Sequence, residues 1–202
     1  MALRRSGLEL LAAVVSYALA AASTATPQQL RRPTPCAGWD LEKLMDHVSD
    51  SMEVINEAIA ARQVRSDRPP GYDTRAADPI GRLHRQAAML LHTCATTGPG
   101  DGLIAIRDRA LTSRCVAATG AIEIAVHGWD ISAARGSRQP VPAGLAAVLL
   151  PVAPLLIPAR IRPGLFADPV RLAGPACPGD ELVAFLGRKP AAIFAGPAGL
   201  PS

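Results

Sequence analysis

Leu8, Leu11, Val15 and Leu19 fall at the three- and four-residue spacing of a buried helix face and predict a first helix from about Leu3 to Ser23. Asp40 is a good N-cap for a second helix that starts at Leu41 and carries its core stripe on Leu44, Val48, Ile55 and Ile59. The polar stretch from Arg62 to Pro79, with Pro69-Pro-Gly71 in its middle, reads as a loop. A third helix follows from about Asp78, with Pro79 in its first turn, to Cys94. After the glycine-rich break at Thr96 to Gly102, residues Leu103 to Leu111 suit a short strand or an irregular extended piece. The fourth helix is expected from about Ser113 to Ala134, stopped by Gly136 and with Arg135 favourable at its negative end.

Beyond Pro140 the pattern changes. Pro151, Pro154 and Pro158 break the apolar run from Ala143 to Ile157, which predicts a fifth helix to about Leu150 and a short continuation. Pro178 to Gly187 reads as a brief capped helix, and the tail from Pro190 as loosely held. The expected division is a helical domain over residues 1–140 and a C-terminal extension over 141–202 packed on it.

Composition sharpens the class. The chain has 202 residues, 49% of them hydrophobic but only 3% aromatic, so its interior is built from Ala, Leu, Val and Ile. That mix favours close-packed helices over strands, and the expected class is all-α. The net charge of +4 rests on scattered arginines, Lys43 and Lys189 being the two lysines. Without basic clusters and stacking aromatics, nucleic acid is not an expected partner. Arg4 and Arg5 before the run from Leu8 to Ala22 also fit a secretory signal peptide, but Glu9 inside the run and its helix-face spacing favour a first packed helix. The run is shorter than the roughly 20 residues of a membrane span, so no membrane partner is expected and the location is read as cytoplasmic. Cys36, Cys94, Cys115 and Cys177 make no zinc-finger spacing, and reduced, inert cysteines are the expectation; Cys36 lacks an adjacent basic residue in sequence.

The chemistry centres on Ala121-Ile-Glu-Ile-Ala-Val-His-Gly-Trp-Asp130. Glu123 and His127 stand four apart, so on a helix they leave the same face one turn from each other. A carboxylate and an imidazole so placed can grip a divalent ion if a third ligand arrives from elsewhere. His47, beside the core stripe of the second helix, is the earlier residue that offers itself. A buried Glu123 with no partner would cost several kcal/mol, which a shared ion removes. Ser51, one turn beyond His47, and Asp130, one turn beyond His127, are candidates to line the pocket or to orient a ligand. Trp39 and Trp129 read as packing anchors, and His84 with Arg82 and Arg85 as a solvated basic face, as does His92.

Taken together, Pro33-Thr-Pro-Cys-Ala-Gly-Trp-Asp40, His47 seven residues later and Glu123-x-x-x-His-Gly-Trp-Asp130 resemble the DinB-like superfamily. Within it they are similar to the actinobacterial metal-binding proteins akin to mycothiol-dependent maleylpyruvate isomerase, over roughly residues 5 to 136. The resemblance implies an antiparallel four-helix bundle with a short helical extension. It also implies a divalent metal, usually zinc, on His47, Glu123 and His127, with mycothiol as co-substrate. Nickel or iron(II) would suit such donors too. The isomerase has a further C-terminal domain with an arginine its reaction needs, and the proline-rich chain after Gly136 offers no obvious equivalent. The implied activity is therefore a metal-dependent thiol S-transferase joining a small thiol to a small electrophilic metabolite, of the kind found in natural-product pathways. A mycothiol-dependent isomerase, a metal-dependent hydrolase and a non-enzymatic metal-binding protein are the alternatives. The apolar piece from Ala143 to Leu156 either covers the bundle or serves a homodimer contact.

Overall fold

The computed structural model describes residues 6–64, 76–98, 102–107, 109–137, 139–164 and 166–190. The expected loose tail lies outside them from residue 191 on, while Pro190, its expected first residue, is described and buried.

Four long helices carry most of the core. Helix α1 (Gly7–Ala22) starts with a capping box: Ser6 Oγ accepts from the Glu9 amide at 3.2 Å, and the Glu9 carboxylate accepts from the Ser6 amide at 2.8 Å. Glu9, an interruption when read as hydropathy, is thus the helix-start signal. Helix α2 (Leu41–Ala61) is capped by Asp40, which accepts from the Lys43 amide at 2.9 Å. Helix α3 (Pro79–Thr96) is capped by Asp78. Helix α4 (Ser113–Arg135) begins at the Thr112 hydroxyl and ends at Gly136 in the left-handed region, φ 74°.

Helix α1 packs on α4 and α3, and α2 packs on α3 and α4. Buried residues occur all round α4, from Val116 to Ser132, which is the signature of a central helix. Small residues set the spacing. A Cβ on Gly128 would lie 2.9 Å from the Tyr17 ring and 3.2 Å from the Ala18 backbone, so α1 and α4 are in close contact there. The Arg135 guanidinium reaches across to the Ala21 carbonyl and the Thr24 hydroxyl, so it serves the carboxyl end of α1. Arg82, expected on a solvated face, instead bridges α3 to Asp50 (2.6 Å) and Glu53 (3.2 Å) of α2. His84 and His92 are exposed, as expected.

The all-α expectation needs one correction. Strands β1 (Gln63–Val64), β2 (Leu103–Ile106) and β3 (Arg109–Thr112) form a small sheet, β1 parallel to β2 and β2 antiparallel to β3. Its pairing is long-range: Gln63 lies opposite Ala105. Arg62 leaves α2 at φ 56°, ending the helix and turning the chain into β1. Ile104 then closes a small cluster with Ala58 and Val116.

After residue 140, α5 (Ala143–Leu149) and α6 (Ala153–Leu156) are separated where Pro151 and Pro154 forbid one helix. Helix α7 (Pro178–Phe185) packs on α5. Val141, Leu145, Leu149, Leu182 and Leu186 join the same core as α1–α4. Arg162 lies between the rings of Phe166 and Phe185 and donates to the Ala167 and Phe185 carbonyls at 2.6 and 2.8 Å, which pins the end of α7. Among the described residues no helix is long and apolar enough to cross a membrane.

All four cysteines are free thiols. Burial pushes Cys94 up to about 11, whereas Cys177 is exposed. At pH 8 about one Cys94 thiol in a thousand is then ionised. Alkylation followed by peptide mass spectrometry is expected to label Cys177 early and Cys94 last. Equal rates for the two would contradict the buried placement of Cys94.

Candidate metal centre

The site grows from the pairing of α2 with α4. On α2, His47 lies beside the core stripe of Leu44 and Val48; on α4, the i,i+4 spacing of Glu123 and His127 stacks both side chains on the face turned to α2. His47 Nε2 lies 2.8 Å, and His127 Nε2 3.2 Å, from the same oxygen, Glu123 Oε1. All three sequence-predicted ligands are therefore brought together, with one donor atom from each inside a 4.8 Å cluster.

Exposure falls across the cluster. The side chains of His47, Glu123 and His127 are 36%, 25% and 9% exposed, so the site opens on the His47 side and closes towards the core. Trp39 forms a wall: its ring is 4.8 Å from that of His47, edge-on, and 6.4 Å from that of His127, stacked. It is a packing residue, as expected, but the surface it packs is the site itself. Trp129 is buried in the core.

Behind His127 lies a second layer. Asp130 is completely buried, and its Oδ2 is 3.0 Å from His127 Nδ1. A carboxylate can only accept, so Nδ1–H donates, and Nε2 is the nitrogen turned to Glu123. Arg188, just past α7, reaches the other side of Asp130: Nε donates to Oδ1 at 3.1 Å and Nη2 to Oδ2 at 2.7 Å. Cys36 completes the layer, with Sγ 3.2 Å from Asp130 Oδ2, 3.2 Å from Arg188 Nη2 and 3.8 Å from His127 Nδ1.

The electrostatics follow from these contacts. Burial works against the charge on Glu123, but hydrogen bonds from His127 and His47 hold its carboxyl well below the usual range. Burial likewise opposes a charged His127, yet Asp130, Cys36 and Glu123 outweigh it and raise the imidazole well above its ordinary value. Asp130, despite burial, is held low by His127 and Arg188. The inner cluster thus aims two imidazole nitrogens at one carboxylate oxygen, and a cation between them answers all three. That donor set fits a divalent ion with coordination positions to spare.

Cys36, His127 and Asp130 form a second cluster of ligand-type atoms. There the Arg188 guanidinium already supplies the positive charge, 2.7 Å from Asp130 and 3.2 Å from Cys36. This cluster is an outer layer and not a second ion site. Ser51 is half-buried and belongs to neither cluster. Cys36 has no adjacent basic residue in sequence, and the fold brings His127 and Arg188 to its thiol from far along the chain. No local signal marks Arg188 as a partner of residue 130.

A helical protein with an inner His–Glu–His cluster backed by a carboxylate is the class this geometry defines. The family model for the mycothiol maleylpyruvate isomerase N-terminal domain matches residues 11–132, and the chain belongs to that family. This agrees with the DinB-like superfamily. Two uncharacterised proteins of Mycobacterium tuberculosis, from strains CDC 1551 / Oshkosh and ATCC 25618 / H37Rv, are each 28% identical over 163 residues. The match covers 79% of this chain and 85% of each relative. No solved structure gives a significant match.

Proposed function

We propose that this chain is a metal-dependent S-transferase that uses mycothiol as its thiol and a small electrophilic metabolite as its acceptor, on an antiparallel four-helix bundle of the DinB-like kind. The observation that carries the reading is the convergence of His47, Glu123 and His127 on one point, with a solvent-facing edge at His47. The packing of α1–α4 in pairs fits the bundle. When bound, a divalent ion such as Zn²⁺ would supply an open position that favours the thiolate of a co-substrate over the neutral thiol. Around it the chain's own residues shape the pocket. His47 marks the solvent-facing edge, Trp39 offers an apolar wall over both imidazoles, and Asp130 fixes the ring of His127 from behind.

Mycothiol-dependent isomerisation is the second reading, favoured by the family's description and by the approach of Arg188 to the outer layer. Thiol balance separates the two: a transferase consumes mycothiol one for one with product, whereas an isomerase returns it. Thermal melting gives the first test. At ten times its dissociation constant a ligand adds about 1.4 kcal/mol, which for a chain of this size is roughly 3–6 °C. Mycothiol is expected to raise the melting temperature by that amount in the zinc-loaded protein and not in the metal-free protein. If no thiol shifts either form, the thiol reading fails and a protein that simply holds metal is left.

A further inference from the structure

We propose that Arg188, from the chain segment beyond the matched family domain, is a positioning residue of the metal centre. It acts through Asp130 on His127 and so sets how tightly the ion is held. This rests on the reading of His47, Glu123 and His127 as metal ligands.

Delivery of Arg188 is built into the end of α7. The Gly187 amide donates to the Ala184 carbonyl at 3.0 Å and the Arg188 amide to the Val183 carbonyl at 2.9 Å, the paired bonds of a Schellman ending. Gly187 adopts φ 86°, open to glycine at little cost, and a Cβ there would lie 2.7 Å from Ala167 Cβ and 2.9 Å from its carbonyl oxygen. The turn therefore needs glycine, and it sends the next side chain inward. Arg188 Nη1 is tied back to the Leu186 carbonyl at 2.9 Å, and Nε and Nη2 form a fork on the two oxygens of Asp130. That fork fixes the plane of a fully buried carboxylate. The same Oδ2 accepts from His127 Nδ1–H, so the plane of Asp130 sets the rotation of the imidazole and the aim of its Nε2. Three side chains, two from α4 and one from just past α7, thus form one rigid line, Arg188–Asp130–His127, ending at the ligand atom. Among the described residues no other arginine or lysine comes within salt-bridge distance of Asp130.

The test is zinc affinity, measured by competition with a chromophoric chelator on the full chain. Arg188→Gln is expected to weaken zinc by about 10- to 100-fold, the range found when outer-layer partners of metal ligands are removed. Arg188→Lys is expected to recover part of that loss. Because Arg188→Gln strands a buried carboxylate and can weaken the fold, the paired variant Asp130→Asn/Arg188→Met removes both charges together; it is expected to fold and still bind zinc at least tenfold more weakly. A second readout is the visible absorption of the cobalt-loaded protein, which reports ligand geometry. The folded variants are expected to show a shifted band, whereas a residue that only holds the fold would leave the band of the folded fraction in place. Zinc affinity within threefold of wild type in both Arg188→Gln and the paired variant, with an unshifted cobalt band, overturns the proposal. If the wild type takes up no zinc, or His127→Ala binds it as well as the wild type, the underlying metal reading fails instead, and the positioning role falls with it.

Discussion

Replacing His47, Glu123 or His127 by alanine is expected to lower zinc affinity by more than about a hundredfold each, beyond the 10- to 100-fold cost of losing an outer-layer partner. Each variant removes one of three donors, and among the described residues no other ligand-type side chain joins the inner cluster. The nearest other ligand-type atoms, on Cys36 and Asp130, face the Arg188 guanidinium. The three losses are not equivalent for the fold. His47 is the most exposed, so His47→Ala should leave the metal-free melting temperature nearly unchanged. Removing His127 takes away the hydrogen-bond donor that Asp130 holds at 3.0 Å inside the core, so His127→Ala also destabilises the metal-free protein. His84→Ala and His92→Ala, both at exposed positions, are the controls and should retain wild-type affinity. Equilibrium dialysis with metal analysis reads all five. Full occupancy in all three ligand variants would remove the site.

Acidity sharpens that test. An imidazole must be neutral to donate its lone pair to a metal, so zinc and protons compete for Nε2. In the metal-free protein His127 is raised well above its ordinary value through Asp130, Cys36 and Glu123, against the opposing effect of burial. Protons therefore compete more strongly than they would at a solvated histidine. Zinc affinity is expected to rise with pH across the neutral range, with proton release on binding detectable in weakly buffered solution.

The parts of this molecule that sequence reveals are the ones fixed by neighbours in the chain. Asp40 and Asp78 cap α2 and α3 where their spacing to the apolar stripes predicts, and Gly136 ends α4. The Glu123–His127 pair follows from helical geometry once α4 is accepted, and His47 follows as the remaining histidine beside a core stripe. Other features depend on contacts between distant segments. The pairing of Gln63 with Ala105 turns part of an expected loop into β1, because an edge supplied by β2 satisfies its backbone. Asp130 looks equally suited to solvent or core until α7 brings Arg188 to it. The surroundings of the Cys36 thiol are hidden for the same reason, since its polar partners lie 91 to 152 residues away. Glu9 is a different kind of case. Its capping role is local and legible from Ser6 three residues earlier, but hydropathy alone hides it.

Gly128→Val is expected to cost about 2–3 kcal/mol, because overpacking a close helix contact costs in that range and this contact has little freedom to relax. A Cβ at 128 would stand 2.9 Å from Tyr17 Cε1, 3.1 Å from Cδ1 and 3.2 Å from Ala18 Cα. The ring cannot easily swing away: Tyr17 is 5% exposed and its hydroxyl donates to the Gln139 carbonyl at 3.1 Å. The Ala18 contact is backbone, so relief there means moving α1 as a whole. For a chain of this length the predicted loss corresponds to a melting temperature lower by roughly 4–12 °C. Gly128→Ala should fall between, since alanine regains about 1 kcal/mol of helix propensity while adding the same first carbon. Gly144→Ala separates propensity from packing. It sits at an exposed position of α5, and a Cβ there would meet nothing within 4 Å, so it is expected to raise the melting temperature by roughly 1–4 °C. Gly128 also lies directly beside His127, so displacing α4 from α1 shifts the imidazole against Asp130 and should weaken zinc binding along with the fold. A Gly128→Val protein that melts with the wild type would mean that α1 and α4 do not meet at this residue, and that the inner wall of the metal centre is built differently.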